Sequence, residues 1–392
     1  MPASLGLIRH RILVAAATFA LAACESKPLP SVTDTNADTP AGGDASIAGG
    51  AAGQAAAASG GDAAGGAATR LTVLERAQIS SDQSAENFQH ATAGVDFGDQ
   101  PVTRAALRIT LESPCFPFAN WANPAVPHGQ RWPAKCDAFD RTLYVVLDEP
   151  EVGTDAPPGV ELLRAVTPFG GPLEVEADMT DVVNGLPGKH QLTVHIDTWS
   201  DADGLVSGSQ GEWIASAEVS LWPGEAPRRV LAVVPLVFET QTEPYAAKIE
   251  FEVPEGASDA RLEYRVTGHG QAFALDCIGP AEEFCRRTHE LRLDGALLSE
   301  LAPWRDDCAE LCTITANDSG YGPSSYCAEN PCGDPNSVRA PRANWCPGSA
   351  SPPFRIGSTA LTTPGKHELT RRIPALAPGG SWWVSATYFA FE

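Results

Sequence analysis

The 392-residue sequence predicts an all-β protein made of two antiparallel sandwiches, and three observations carry that expectation. Apolar and polar residues alternate with period two in short runs, turn-forming clusters separate the runs, and no long segment keeps a 3.6-residue period. The alternation is plainest at residues 107–111, 192–196, 249–253 and 262–266. Clusters such as Asn184-Gly185-Leu186-Pro187-Gly188 and Pro364-Gly365-Lys366 supply the turns. So many short strands, spread over about 320 residues, call for two sandwiches of ordinary domain size.

The chain starts with a different texture. Arg9 and Arg11 lead into an apolar run over residues 12–21, which is too short for an ordinary transmembrane span. The run ends in Leu21-Ala22-Ala23-Cys24, a lipobox pattern in which small residues admit the peptidase and the thiol receives a diacylglyceryl group. Residues 1–23 are therefore read as a lipoprotein signal peptide, with Cys24 as the lipidated end of an exported chain. Residues 24–72 are read as a disordered tether, because Ala, Gly, Ser and Asp dominate and few large apolar side chains are available to pack. A coil of about 45 residues reaches on the order of 35–40 Å, enough to hold a domain clear of a membrane. The expected location is lipid-anchored in the outer membrane, on its periplasmic face or at the cell surface.

An N-terminal sandwich is expected over residues 73–240 and a C-terminal one over 241–392, divided where the apolar run 230–238 gives way to Glu239-Thr240-Gln241-Thr242-Glu243-Pro244. A formal net charge of −22 argues against a nucleic-acid partner, since a polyanion would be repelled. Nine cysteines besides Cys24 suit a compartment that permits disulfides, and the odd number leaves one thiol free or paired elsewhere. Zinc is a weak rival, as no CxxC pair occurs and the histidines are scattered.

Four segments could carry chemistry. Cys136-Asp137-Ala138-Phe139-Asp140-Arg141 places an acid and a base where a strand begins, and a Cys115–Cys136 bridge could fix the carboxylate's direction. In His195-Ile196-Asp197-Thr198-Trp199, period two puts His195, Asp197 and Trp199 on one face. An acid beside an indole suits a sugar, whose CH groups stack while its hydroxyls bond the carboxylate. A Cys277–Cys285 bridge would close a small loop that presents Glu282 or Glu283 rigidly. Arg342-Ala343-Asn344-Trp345-Cys346 sets an Arg and a Trp beside a cysteine and a turn.

Together and in order, these segments resemble the peptide-N-glycosidase F family, bacterial amidases that remove N-linked glycans from asparagine. Further matches are Arg164-Ala165-Val166-Thr167-Pro168, Asp178-Met179-Thr180-Asp181, Ala232-Val233-Val234-Pro235, Thr267-Gly268-His269-Gly270 and 281–289, so that the resemblance covers roughly residues 100–390. It implies two side-by-side eight-stranded jelly rolls with a catalytic cleft at or near their interface. It also implies Asp140 as principal catalytic acid, Glu283 as an essential interface acid and Asp197 as a third. Trp199, Arg342, Trp345, Arg141, Phe139 and His269 fall on substrate-binding positions, and a third bridge, Cys308–Cys346, follows. No metal or other cofactor is required. The implied partner is an N-linked glycoprotein or glycopeptide, met by a monomer.

The chain departs from the family in several places. Twenty residues separate Cys115 from Cys136, including Phe116, Phe118, Trp121 and Trp132, where the family has only a few. His269 and Phe139 replace family tryptophans, and Asp197 stands where Glu is usual. An insertion after Cys308 adds Cys312, Cys327 and Cys332, with one extra disulfide expected there. Two other functions compete. A copper monooxygenase would share the double jelly roll, but it needs histidine clusters and a methionine ligand, and only Met179 follows the signal peptide. A glycan-binding surface lipoprotein without catalysis would have no need of both Asp140 and Glu283.

Overall fold

The computed structural model describes residues 68–392 apart from 123–124, 152, 155, 271–276 and 280. The expected signal peptide, Cys24 and the expected tether up to residue 67 lie outside the described residues. The first strand, β1 (Thr69–Ser80), takes in residues 69–72 that the sequence had assigned to the tether. Its alternating Leu71, Val73 and Ala77 pack against the first core, which is why the strand begins before the aromatic-rich sequence does.

After β1 come β2 (His90–Asp96), β3 (Val102–Glu112), β4 (Thr142–Leu147), β5 (Val160–Val166), β6 (Leu173–Asp178), a short helix α1 (Thr180–Gly185), β7 (Lys189–Ile196) and β8 (Glu212–Pro223). They form one sheet ordered β1-β8-β3-β6 and another in which β5-β4-β7-β2 lie side by side. The second half supplies β9 (Val230–Gln241), β10 (Ala246–Val253), β11 (Asp259–His269), β12 (His289–Leu293) and β13 (Ala296–Leu301). A ribbon of β14 (Ile314–Ala316) and β15 (Ser325–Cys327), a helix α2 (Pro335–Arg339) and a two-residue strand β16 (Ser349–Ala350) follow. The chain ends with β17 (Phe354–Gly357), β18 (Gly365–Arg372) and β19 (Ser381–Phe391). These make sheets ordered β17-β11-β19-β9 and β10-β18-β12-β13. With the ribbon β14–β15 and the two-residue β16 left aside, the eight strands of either half pair in the same order, first-eighth-third-sixth and second-seventh-fourth-fifth, which is the double Greek key of a jelly roll.

This count moves the domain boundary. The stretch 230–238 was expected to close the first sandwich, but β9 pairs with β19 along its whole length and opens the second. The divide therefore falls between Pro223 and Val230 rather than near residue 240. β9 is apolar on both faces because Val233 reaches the first core while Leu236 and Val237 enter the second.

The sandwiches meet sheet on sheet. Tyr144 of β4 packs on Phe238 of β9 and Trp383 of β19, with ring centroids 5.3 and 5.2 Å away. All residues of β4 and β5 are buried, as expected for strands covered on both faces. Charges at this junction are paired. Arg164 grips Glu161 through two bonds of 2.7 and 2.6 Å and donates to the Trp383 carbonyl at 2.7 Å, while the Ser385 hydroxyl donates to Glu161. Farther along, Asp181 of α1 accepts from Arg228 at 3.1 Å and from Arg261 at 2.6 Å. The Arg164 and Asp181 motifs thus hold the two halves together.

Among the described residues four disulfides join Cys115–Cys136, Cys277–Cys285, Cys308–Cys346 and Cys312–Cys327, and Cys332 keeps a free thiol. The two insertions pack against each other. Phe116 and Phe118 from the first meet Tyr326 of β15 from the second, with Phe118, Trp121 and Trp132 edge-to-face in sequence. Gly170 permits the close approach of the second insertion, since a Cβ there would lie 2.4 Å from the Cys332 sulfur.

Candidate active site

The turn before β4 is fixed from four directions. The Cys115–Cys136 bridge holds its start, the Gly208 N–H donates to the Cys136 carbonyl at 2.8 Å, and the Ala138 N–H donates to the Ser207 hydroxyl at 3.0 Å. At its end the Arg141 N–H donates to the Thr167 hydroxyl at 2.8 Å. The sequence suggested an Asp140–Arg141 pair, but Arg141 instead makes a bidentate bridge to Asp137, 2.7 Å from each nitrogen. Asp137 is fully buried and also accepts from the Thr198 hydroxyl at 2.8 Å and the Trp199 N–H at 3.3 Å. One carboxylate therefore organises Arg141 and Trp199 and leaves Asp140 free of that pair. Sequence reasoning quoted Asp137 without giving it a role. Its signal, a second acid four residues before the same arginine, was on view.

Glu283 approaches from the second sandwich on a 3-10 turn over Glu282–Phe284, stapled by Cys277–Cys285. The two adjacent acids divide their work. Glu282 is fully buried and accepts from Arg287 at 2.8 and 2.9 Å, from the Trp382 indole at 2.9 Å and from the Ala377 N–H at 3.0 Å. It anchors the turn, and Glu283 is left to bond Arg342. Arg342, itself buried, bonds Glu283 through Nη1 and the Ser337 carbonyl through Nη2 at 2.7 Å. The Ala343 N–H donates to the Glu283 carbonyl at 2.7 Å, so the Arg342 segment clamps this acid by backbone as well.

Beneath Arg342 lies Trp345, 1% exposed, with its indole N–H on the Gly268 carbonyl at 2.8 Å and its ring 4.5 Å from the guanidinium. Two expectations change here. Trp345 presents no free face to a sugar, and the buried Arg342 acts through Glu283 rather than as an exposed contact. Gly268 makes the arrangement possible, because a Cβ there would lie 2.7 Å from that of Ala343. His269 stacks on Trp345 at 5.2 Å, and burial holds its imidazole neutral by lowering its pKa to about 3. Trp199, by contrast, is 48% exposed beside Arg141, with Phe139 half-buried on the other side of that guanidinium. An open indole next to a fixed cation can stack on a sugar ring.

The two acids feel each other. Burial raises the Asp140 pKa, opposed by the charges of Arg342 and Arg141, with Asp137 adding to the rise. Burial likewise pushes Glu283 up to about 7, opposed by Arg342 and increased by the negative charge of Asp140. Asp197, whose backbone N–H donates to the Thr142 carbonyl at 3.2 Å, is raised by burial to about 6 while His195 and Arg141 pull it down. The junction thus holds an acid–arginine–acid set in which a carboxyl from each sandwich shares the field of Arg342. Such a set can carry a carboxylate and a carboxylic acid together near neutrality. Among the described residues, the groupings with metal-ligand spacing are Cys115, Cys136 and Cys332, and Asp307, Cys308 and Cys346. Each includes two disulfide-bonded sulfurs, which are not the thiolates that a metal takes.

Comparison with known proteins supplies the context. Residues 238–389 match the family described as peptide-N-glycosidase F, C terminal. A curated relative, the peptide-N(4)-(N-acetyl-beta-D-glucosaminyl)asparagine amidase F of Elizabethkingia miricola, is 25% identical over 235 residues. That match takes in 55% of this chain and about 57% of the relative's own length. Among solved structures, a crystal structure of the amidase of that name aligns with a TM-score of 0.61 at 18% identity, covering 83% of this chain and 96% of that one. The structure of PNGF-II aligns with the same TM-score at 19% identity, covering 82% of this chain and 65% of the other. The glycosylasparaginase PNGase F from Flavobacterium meningosepticum gives a TM-score of 0.58 at 16% identity, covering 83% and 96%.

Proposed function

We propose, from the match of residues 238–389 to the peptide-N-glycosidase F C-terminal family and the likeness to amidases of that name, that the chain hydrolyses the amide bond between the core N-acetylglucosamine and asparagine of N-glycoproteins or glycopeptides. The observation that carries the reading is that Glu283 of the second sandwich is bonded to the buried Arg342, while Asp140 at the turn before β4 has its pKa raised by burial and opposed by the charge of the same arginine. Hydrolysis of an unactivated amide needs a water made nucleophilic and an amine leaving group that is protonated as the C–N bond breaks. In this reading Asp140 takes the proton from water as the water oxygen attacks the amide carbonyl. Glu283, near half-protonated at neutral pH, supplies a proton to the departing sugar amine. The products are an aspartate carboxylate and a glycosylamine. Asp197 orients the first sugar or a bridging water, and Trp199 offers the stacking surface.

The reading extends to location. The lipobox at Cys24 and the tether support an exported lipoprotein held at the outer membrane, acting on glycoproteins outside the cytoplasm.

Mass spectrometry of a denatured N-glycopeptide after incubation with residues 68–392 tests the activity, beside Asp140→Asn. Glycan release with asparagine converted to aspartate, a gain of about 1 Da, is expected from the wild-type protein, and a rate lower by about 10²–10⁴ from the variant. No conversion across several glycan classes by folded, oxidised protein would remove the amidase and leave a glycan-binding lipoprotein.

A further inference from the structure

The second insertion carries an asparagine, Asn330, that is fully buried between segments of both sandwiches. Its Oδ1 accepts from the Phe169 N–H at 3.0 Å, in the turn between β5 and β6 of the first sandwich. Its Nδ2 donates to the Pro347 carbonyl at 3.2 Å, in the segment that follows Trp345 in the second half. An N–H can only donate and a carbonyl can only accept, so these two partners fix the orientation of the amide. The backbone of Asn330 is held as well: its N–H donates to the Cys327 carbonyl at 2.8 Å and its carbonyl accepts from the Gly333 N–H at 3.1 Å.

Each partner leads to one side of the candidate site. Phe169 stands two residues after Thr167, which accepts from the Arg141 N–H at 2.8 Å and returns its own N–H to the Arg141 carbonyl at 2.8 Å. The Phe169 ring lies 6.4 Å from that of Phe139, the residue before Asp140. On the other side, Pro347 follows Cys346, which is bridged to Cys308, and Trp345, on whose ring Arg342 rests. Beyond it the Gly348 N–H donates to the Val166 carbonyl at 3.0 Å, and β16 pairs with β5. A missing side chain admits the insertion: a Cβ on Gly171 would lie 2.4 Å from the Glu329 carbonyl oxygen and 2.9 Å from Pro331 Cδ. The Cys332 N–H donates to the Phe169 carbonyl at 2.9 Å, so the insertion holds Phe169 by both of its backbone groups.

We propose that Asn330 is a positioning residue for the reaction: it ties the turn behind Asp140 to the segment behind Arg342, and so sets how the acid of one sandwich faces that of the other. The catalytic consequence rests on the amidase reading, whereas the brace itself does not. The need for asparagine follows from its two partners. An ionised aspartate would accept from Phe169 but could not donate to Pro347, and an apolar residue would leave a buried N–H and a buried carbonyl unpaired. A misplacement of about 1 Å can cost about a hundredfold in rate, so a brace remote from the reacting atoms still acts on kcat.

Amide hydrogen exchange and steady-state glycopeptide hydrolysis of the full chain test this in two variants. In Asn330→Ala the N–H groups of Phe169, Arg141 and Ala343 should each exchange about tenfold faster. Its kcat should fall by about 10–10², with KM within about threefold of wild type. In Asn330→Asp the protonated side chain can donate to Pro347 and the ionised one cannot. The kcat of that variant relative to wild type should therefore climb as pH falls from about 7 to 4, while the ratio for Asn330→Ala stays level. Unchanged exchange at Arg141 and Ala343, or a kcat within about twofold of wild type in folded Asn330→Ala, would overturn the proposal and leave Asn330 a residue of folding alone. Should Asn330→Ala fail to fold, a relative kcat of Asn330→Asp that does not change with pH overturns it equally. Faster exchange at all three amides in a protein whose wild type releases no glycan would leave the brace standing and overturn the amidase reading instead.

Discussion

Asp137, Asp140, Glu282 and Glu283 are two pairs of acids in which one member is spent on architecture and the other left for chemistry. Asp137 and Glu282 are fully buried and saturated by arginine and N–H donors, while Asp140 and Glu283 are half-buried, with pKa values raised by desolvation. The raised Glu283 pKa has a consequence for stability. Its ordinary value is 4.5 and its folded value about 7, so the folded state binds the proton more tightly than the unfolded chain. The stability advantage is full below about pH 4.5 and is lost as pH rises through 7, amounting to about 3 kcal/mol. Unfolding in urea measured from pH 4 to 8 should show this fall. Glu283→Gln should flatten it whatever its offset at one pH, and an unchanged slope would show that Glu283 titrates normally. Neighbouring letters such as Glu282 and Glu283 cannot reveal which is saturated, because that depends on which way the nearby Arg287 turns and on Trp382 and the Ala377 N–H arriving from elsewhere in the fold.

At the scale of elements, short stapled turns at strand ends set the direction of each acid. The Cys115–Cys136 bridge closes a 21-residue separation around the first insertion and abuts the turn that carries Asp140. Loop-closure entropy assigns it about 3 kcal/mol. A Cys115→Ala/Cys136→Ala variant should lose about that much in chemical denaturation and lose glycan release with it, because Asp137 would no longer be held against Trp199. Full activity in the variant would show that Ser207 and Thr167 suffice to hold the turn. The insertions also explain the free thiol: Cys332 packs between Gly170 and the Cys115–Cys136 pair while Cys312 bridges to Cys327. Cysteine count and spacing predicted one spare thiol and one extra bridge. Only packing decided which residue took which part.

For the whole molecule, the junction between the sandwiches is both the load path and the place of the acids. Glu161→Gln removes the partner of a nearly fully buried Arg164, a change that should cost about 3–5 kcal/mol. Calorimetry should show a lower Tm with one transition retained if the interface couples the sandwiches, and two separate transitions if it does not. The proposed lipid anchor is tested on the full chain in a bacterial host. A clickable fatty acid should label the protein, and Cys24→Ser should abolish both the label and sedimentation with membranes. Sequence alone determined the period-two strands, the turns and the two-sandwich class, because these follow from local alternation, whereas the choice of candidate acids came from the resemblance and not from residue chemistry by itself. The sequence misplaced the domain boundary because β9 is apolar on both faces and nothing local says which neighbour it pairs with. It likewise read Trp345 as a contact surface, although an indole quoted by position carries no information about what covers it. Strand partners, burial and the sharing of one arginine by two acids are long-range facts. They arise when residues far apart in the chain are brought together out of water, and only the tertiary structure decides them.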